Sequence, residues 1–230
     1  MAKIVLIDLD NTLLNFDIAE KLAFKYTALR YGLDYSEDFY QEFLKVNSEY
    51  WRKSERGEIS IKDLTVQRFA DVFNKYKEDL DPVKVNQTYL QQLSDHPYYE
   101  EGSVELLKYL GTKYKVFIVT NGVYFVQRRR LDITHLDDLV TGVICSEQVG
   151  ANKPSPQFFI KGLKEYGLDA TKSTDFIIIG DSLTSDMLGG ETMGYETIWY
   201  NRKHLDPKTQ KIKKPLTYIV TSLQEIEKIL

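Results

Sequence analysis

At 230 residues with a formal net charge of −4, the chain has room for one large domain or a domain with an insertion, and it is too acidic to grip nucleic-acid backbone through bulk charge. Hydrophobic residues at 43% and charged residues at 28% fit a packed globular protein and exclude a disordered one. A single cysteine, Cys145, excludes an internal disulfide and a cysteine-built zinc cluster; with no apolar run near the length of a membrane span, a cytoplasmic protein with neither nucleic-acid polymer nor membrane as partner is expected.

The chain opens on a β-branched run, residues 3–7, that reads as a buried strand and ends in Asp8-Leu9-Asp10-Asn11-Thr12. Strand side chains alternate, so Asp8 and Asp10 fall on one side with Leu9 opposite, and two like charges so close need an offset. A solvated strand end that begins a turn is one account; a cation among acids, or an acid kept protonated for chemistry, is the other. Residues 17–95 follow as a helical stretch rich in aromatics and charge, with helices expected over 18–31, 36–53, 60–76 and 82–93. Ser36 and Ser60 fit N-caps, and Pro82 fits a first helical turn. Strands and helices then alternate: helix 103–110, strand 115–119 (KVFIV), helix 124–131, strand 141–145 (TGVIC), helix 156–166, strand 176–179 (FIII) and helix 185–193. Weaker strands at 197–200 and 218–220 and a helix at 223–229 complete the pattern, with a locally basic loop at 208–214. This alternation predicts an α/β fold: a doubly wound parallel-sheet, Rossmann-like core (1–16 and 96–230) with a helical cap domain inserted after the first strand (17–95).

Ligands of open α/β sheets bind beyond the carboxyl ends of the strands. The first strand ends in Asp8 and Asp10, the KVFIV strand in Thr120-Asn121-Gly122, and the FIII strand in Gly180-Asp181-Ser182 with Asp186 further on; Lys153 lies in the loop after TGVIC. Each has a bland account. Thr-Asn-Gly is an ordinary turn, Ser155 caps a helix that Pro156 begins while Lys153 is merely exposed, and Gly-Asp-Ser is a strand-to-helix turn. Together, in this order at these tips, they point instead to one shared site. Acids without His or Cys suit Mg²⁺, Thr120 and the backbone around Asn121 suit an anion, and Lys153 offsets its charge.

These motifs resemble those of the haloacid dehalogenase superfamily of phosphatases over essentially the whole chain. The first motif is Asp8-Leu9-Asp10-Asn11-Thr12, the second supplies Thr120, the third Lys153, and the fourth Gly180-Asp181-Ser182-Leu183-Thr184-Ser185-Asp186. The resemblance implies a Mg²⁺-dependent hydrolase of a small-molecule phosphate ester. Asp8 would be the nucleophile and form an aspartyl-phosphate, and Asp10 would serve as proton donor and then acceptor. The metal would be held by Asp8, Asp181 and the main-chain carbonyl of Asp10, with Asp186 holding metal-bound water or orienting Lys153. Thr120, Asn121 and Lys153 would bind the transferring oxygens. Asp10 argues for a phosphate ester over a halide, because an alkoxide leaving group needs a proton and a halide does not.

In the cap, Phe39, Phe43 and Tyr50 recur near helical spacing as a packed face would, and Phe16, close behind the first motif, is the aromatic expected to stack on a planar substrate ring. Exposed salt bridges are the expected fate of Arg52 and Arg56. The text around Trp51, Gly57 and Arg68-Phe69 resembles the pyrimidine 5′-nucleotidase branch, which implies nucleoside 5′-monophosphates as substrates. The alternatives are a sugar-phosphate phosphatase or phosphomutase of the same superfamily and, further off, a phospho-accepting signalling module.

Overall fold

The computed structural model describes residues 4–77, 79–210 and 216–230; Lys3 of the first expected strand and residues 211–214 of the basic loop lie outside them. Over its described residues the chain divides into two compact units. One comprises Met1–Asn15, Tyr99–Tyr124 and Thr134–Leu230, the other Phe16–Tyr98 and Phe125–Ile133. The strands are β1 (Ile4–Ile7), β2 (Lys115–Thr120), β3 (Gly142–Cys145), β4 (Phe176–Gly180), β5 (Glu196–Tyr200) and β6 (Tyr218–Val220). The helices are α1 (Phe16–Arg30), α2 (Glu37–Glu55), α3 (Ile61–Phe73), α4 (Pro82–Asp95), α5 (Ser103–Gly111), α6 (Tyr124–Thr134), α7 (Ser146–Val149), α8 (Pro156–Lys164) and α9 (Leu188–Met193).

In the first unit the strands form one all-parallel sheet in the order β3-β2-β1-β4-β5-β6. Its central strands are buried along their length, as their near-continuous apolar sequence requires when both faces are covered. Leu6, Phe117, Val119, Ile178 and Trp199 join Phe158, Phe159 and Leu163 of α8 in one core cluster. The chain steps outward from β1 to β3 and returns at β4, so the reversal of strand order lies between β1 and β4, where such sheets bind ligands. Asp8 N–H donates to Ile179 O at 2.9 Å and extends that pairing one residue past β1.

Two expected helices take other forms. Residues 183–187 make a wide π turn before α9, because the N–H groups of both Asp186 and Met187 donate to Ser182 O and the Ser182 hydroxyl accepts from Ser185 N–H. Leu223–Lys228 is a 3₁₀ helix opened by a reciprocal Ser222–Glu225 capping box.

The helical unit begins with α1. Ser36 accepts from Phe39 N–H, Ser60 from Asp63 N–H, and Asp81 from Val83 N–H with Pro82 in the first turn, each cap satisfying N–H groups the helix cannot. Phe24 packs on Phe43 and Phe39 with ring centres 4.7 and 4.9 Å apart, while Tyr50 turns outward and donates to Asp71. Arg56 pairs with Glu58 at the surface. α6 follows the Thr120-Asn121-Gly122 turn of the first unit, yet Phe125–Ile133 belong to the helical one.

Buried among these rings is a polar chain. Arg68 donates from Nη1 to Asn47 Oδ1 (2.7 Å) and from Nε to Thr65 O (3.2 Å), and Asn47 donates in turn to Glu20 Oε1 (2.7 Å). The guanidinium lies 4.8 Å from the Tyr89 ring centre and 5.0 Å from that of Phe69. Burial holds its pKa below that of an ordinary guanidinium, with Tyr89 and Glu20 opposing that shift. Removing one member strands the rest in a low-dielectric interior, so Arg68→Ala is expected to cost about 3–5 kcal/mol. Helix content followed in denaturant, for Arg68→Ala and for Arg68→Met with Glu20→Gln, measures this; the double variant should recover part of the loss.

Candidate active site

The turn after β1 is built by its own residues. Asn11 takes a left-handed φ of 61°, which asparagine tolerates, and Leu13 and Leu14 N–H both donate to Leu9 O. Asp8 is thereby held at the sheet edge and is buried, while Asp10 is half-buried. Past β4, Asp181 and Asp186 reach the same place, and one carboxylate oxygen from each of Asp8, Asp181 and Asp186 lies within 4.8 Å of the others. Asp10 is not a member of that group through its side chain.

Lys153 is 1% exposed, and its ammonium donates to Asp8 Oδ1 at 2.6 Å, Asp186 Oδ1 at 2.7 Å and Val119 O at 2.8 Å. These contacts commit all three of its N–H groups. Its backbone is fixed as firmly: Lys153 N–H donates to Asn121 Oδ1 and Asn121 Nδ2 donates back to Lys153 O, at 2.8 and 2.9 Å. Asn121 thus ties the β2 tip to the lysine loop with its side chain, a task not evident from the turn-like Thr-Asn-Gly sequence. Thr120, fully buried, accepts from Gly122 N–H at 3.1 Å. The N–H of Tyr124, at the start of α6, is already taken by Glu147. Asp186 has its second oxygen on Ser182 N–H at 3.2 Å, and Gly180 is required beneath it because a Cβ there would run into the Asp186 side chain.

Phe16 opens α1 in the helical unit, half-buried, with the Arg130 guanidinium 5.9 Å from its ring centre. It is not among the residues that the α/β unit gathers.

Three carboxylates face one ammonium, and the electrostatics follow. Burial pushes the Asp8 carboxyl up to about 7 from an ordinary 3.8; Lys153 pulls it down, while Asp186 and Asp10 push it up. Burial also holds Asp181 well above the usual carboxylate range, helped by Asp8 and Asp186 and opposed by Lys153 and Arg202. For Lys153, burial alone would lower the pKa, but Asp186 and Asp8 outweigh it and raise it above 10.5. The excess negative charge, hard oxygen donors and spacing fit a divalent cation of the kind oxygen ligands hold.

Sequence reading omitted residues at the β5 tip. Arg202 donates to Glu100 Oε1 at 3.4 Å, and Tyr200 donates to the same oxygen at 3.0 Å. Looking past β5, as past the other strands, brings Asn201 and Arg202 into view; Glu100, from a loop distant in sequence, carries no such signal.

Among the described residues no helix is long and apolar enough to cross a membrane. Residues 2–194 match the family of haloacid dehalogenase-like hydrolases. The chain is 33% identical to the pyrimidine 5′-nucleotidase PynA of Streptococcus pneumoniae over 97% of this chain and 93% of that one. It is 30% identical to the pyrimidine 5′-nucleotidase YjjG of Escherichia coli over 98% and 96%. The structure of the HAD-hydrolase YfnB from Bacillus subtilis bound to magnesium superposes with a TM-score of 0.89 at 28% identity, over 100% of this chain and 98% of that one. Acids at the tips of β1 and β4, a buried lysine between them, the strand order and a family match over most of the length converge on one assignment: the chain belongs to the haloacid dehalogenase-like hydrolases.

Proposed function

We propose that the chain is a Mg²⁺-dependent phosphomonoesterase that works through an aspartyl-phosphate on Asp8 and takes nucleoside 5′-monophosphates as substrates. The observation that carries this reading is the Lys153 ammonium held between Asp8 and Asp186, with Asp181 beside them. It explains why a buried carboxylate stands at a ligand-binding sheet edge with one oxygen fixed and the other left to react.

Asp8, Asp181 and Asp186, with the main-chain carbonyl of Asp10, would hold the metal. When bound, Mg²⁺ supplies positive charge that lets a phosphate dianion approach a carboxylate. Asp8 attacks phosphorus in line, and the bond from phosphorus to the ester oxygen breaks. Asp10 gives that oxygen its proton, then accepts one from the water that attacks the aspartyl-phosphate, and inorganic phosphate and free Asp8 result. The Thr120 hydroxyl and the backbone around Asn121 bind the transferring oxygens. Lys153 fixes the nucleophile and balances its charge; it can reach a phosphate oxygen only by exchanging one of its present partners. Phe16 is the cap residue proposed to meet the base.

The two nucleotidase relatives support the substrate class. A phosphate-release screen over nucleoside monophosphates, sugar phosphates and small phosphorylated acids tests it: turnover should be fastest on pyrimidine 5′-monophosphates, and release from sugar phosphates alone would overturn it. Dependence on a bisphosphate without net phosphate release would identify a mutase. Asp10→Asn is expected to slow esters of poor leaving groups about 10²–10⁴-fold and p-nitrophenyl phosphate much less, because only an alkoxide needs the proton. Equal slowing of both would contradict the proton-transfer role.

The acids also set a pH signature. The folded pKa values of Asp8 and Asp181 lie above the unfolded ones, so the metal-free protein loses stability as pH rises from 3.8 through about 7. Mg²⁺ binds the deprotonated cluster, so it should raise the melting temperature clearly at about pH 8 and little at about pH 5. Melting curves with Mg²⁺ and with chelator at both pH values decide the matter; equal increments would contradict it.

A further inference from the structure

Trp199 lies on β5 opposite Gly180 of β4, 1% exposed and inside the core cluster. A buried indole needs an acceptor for its N–H. Here Nε1 reaches across to the first residue past β4 and donates to the main-chain oxygen of Asp181 at 2.9 Å. That residue's side chain is one of the three converging carboxylates. The peptides on either side are equally constrained. Gly180 has no room for a Cβ because Asp186 lies against it, and Ser182 N–H is held by Asp186 Oδ2. The Asp181 main chain is therefore clamped at its carbonyl by Trp199 and at the next N–H by Asp186, which sets the direction in which its side chain leaves the backbone.

We propose that Trp199 is a positioning residue for the metal site: its indole N–H fixes the Asp181 peptide and so aims the Asp181 carboxylate at the cation. This rests on the reading of Asp181 as a metal ligand. Groups that orient metal ligands from behind typically change metal affinity 10–100-fold when lost. Core packing and carbonyl clamping make different predictions when only the N–H is removed. The chain has two tryptophans, so a Trp51→Phe background leaves Trp199 as the sole one. Incorporating benzothienylalanine there replaces the N–H by sulfur at nearly constant shape, whereas 7-azatryptophan keeps the N–H; Trp199→Phe is the genetic counterpart.

Mg²⁺ binding by titration calorimetry is the readout, with melting temperature recorded in chelator. The benzothienyl protein should bind Mg²⁺ about 10-fold or more weakly than its Trp51→Phe parent, the 7-aza protein should match the parent, and kcat should recover as Mg²⁺ is raised. Equal Mg²⁺ affinity in the benzothienyl protein and a parent that binds Mg²⁺ overturns this inference alone. A parent that binds no Mg²⁺ removes the metal reading of Asp181 and this inference with it.

Discussion

Asp8→Asn should lower turnover of p-nitrophenyl phosphate by a factor on the order of 10⁴ or more, about 5 kcal/mol of barrier, while the protein stays folded. An asparagine side chain keeps the shape of Asp8 and can still accept from Lys153, so the geometry at Oδ1 survives. What is lost is an oxygen able to bond to phosphorus. The substitution also removes a carboxylate whose burial is costly, so the metal-free variant should melt no lower than wild type at about pH 8 and lose part of the wild-type decline between pH 3.8 and about 7. Phosphate release at each pH with circular dichroism melts, run beside Asp8→Ala, separates lost chemistry from lost structure. Retained turnover in both variants would displace Asp8 as nucleophile.

Lys153→Met should affect both stability and activity. The methionine fills a similar volume but leaves Asp8 and Asp186 facing each other and Asp181 without the ammonium, and breaking a buried ion pair from one side costs about 3–5 kcal/mol. The sign with pH follows from the partners. Lys153 pulls the Asp8 and Asp181 pKa values down, so without it both rise further, and the variant should lose stability more steeply than wild type as pH increases from 3.8. The lysine's own stabilisation is present in full below 10.5 and is lost only as pH climbs through its raised folded value. Turnover should fall about 10³-fold. Lys153→Arg keeps the charge but cannot place a planar fork on the three acceptors one ammonium serves, so it should restore more stability than activity. Melting temperature against pH, paired with kcat, tests both; a flat profile for Lys153→Met would contradict the charge role.

The parts of this molecule legible from sequence are those set by local physics. Apolar β-branched runs mark buried strands, Ser36, Ser60 and Ser155 mark helix starts, and the strand-tip rule selects Asp8, Asp181, Asp186 and Lys153, whose side chains lie together. What escapes is set by tertiary pairing. Periodicity gives α6 as a helix but not which unit it joins. It gives no sign of the π turn at 183–187, which depends on the Ser182 carbonyl accepting twice and which brings Asp186 onto Ser182 N–H and Lys153. Asn121 reads as a turn residue because its partners, the N–H and carbonyl of Lys153, lie 32 residues away. Trp199 falls in the weaker strand expected at 197–200; only its register against Gly180 reveals the hydrogen bond to Asp181.

Mapping the phosphoryl group during turnover tests the central claim most directly. Wild-type protein with Mg²⁺ and a nucleoside monophosphate, quenched in acid within a single turnover and digested, should carry phosphate on the peptide containing Asp8, and Asp8→Asn should carry none. Full phosphate release with no protein-bound phosphoryl group at any time, or with the group on another residue, would contradict it.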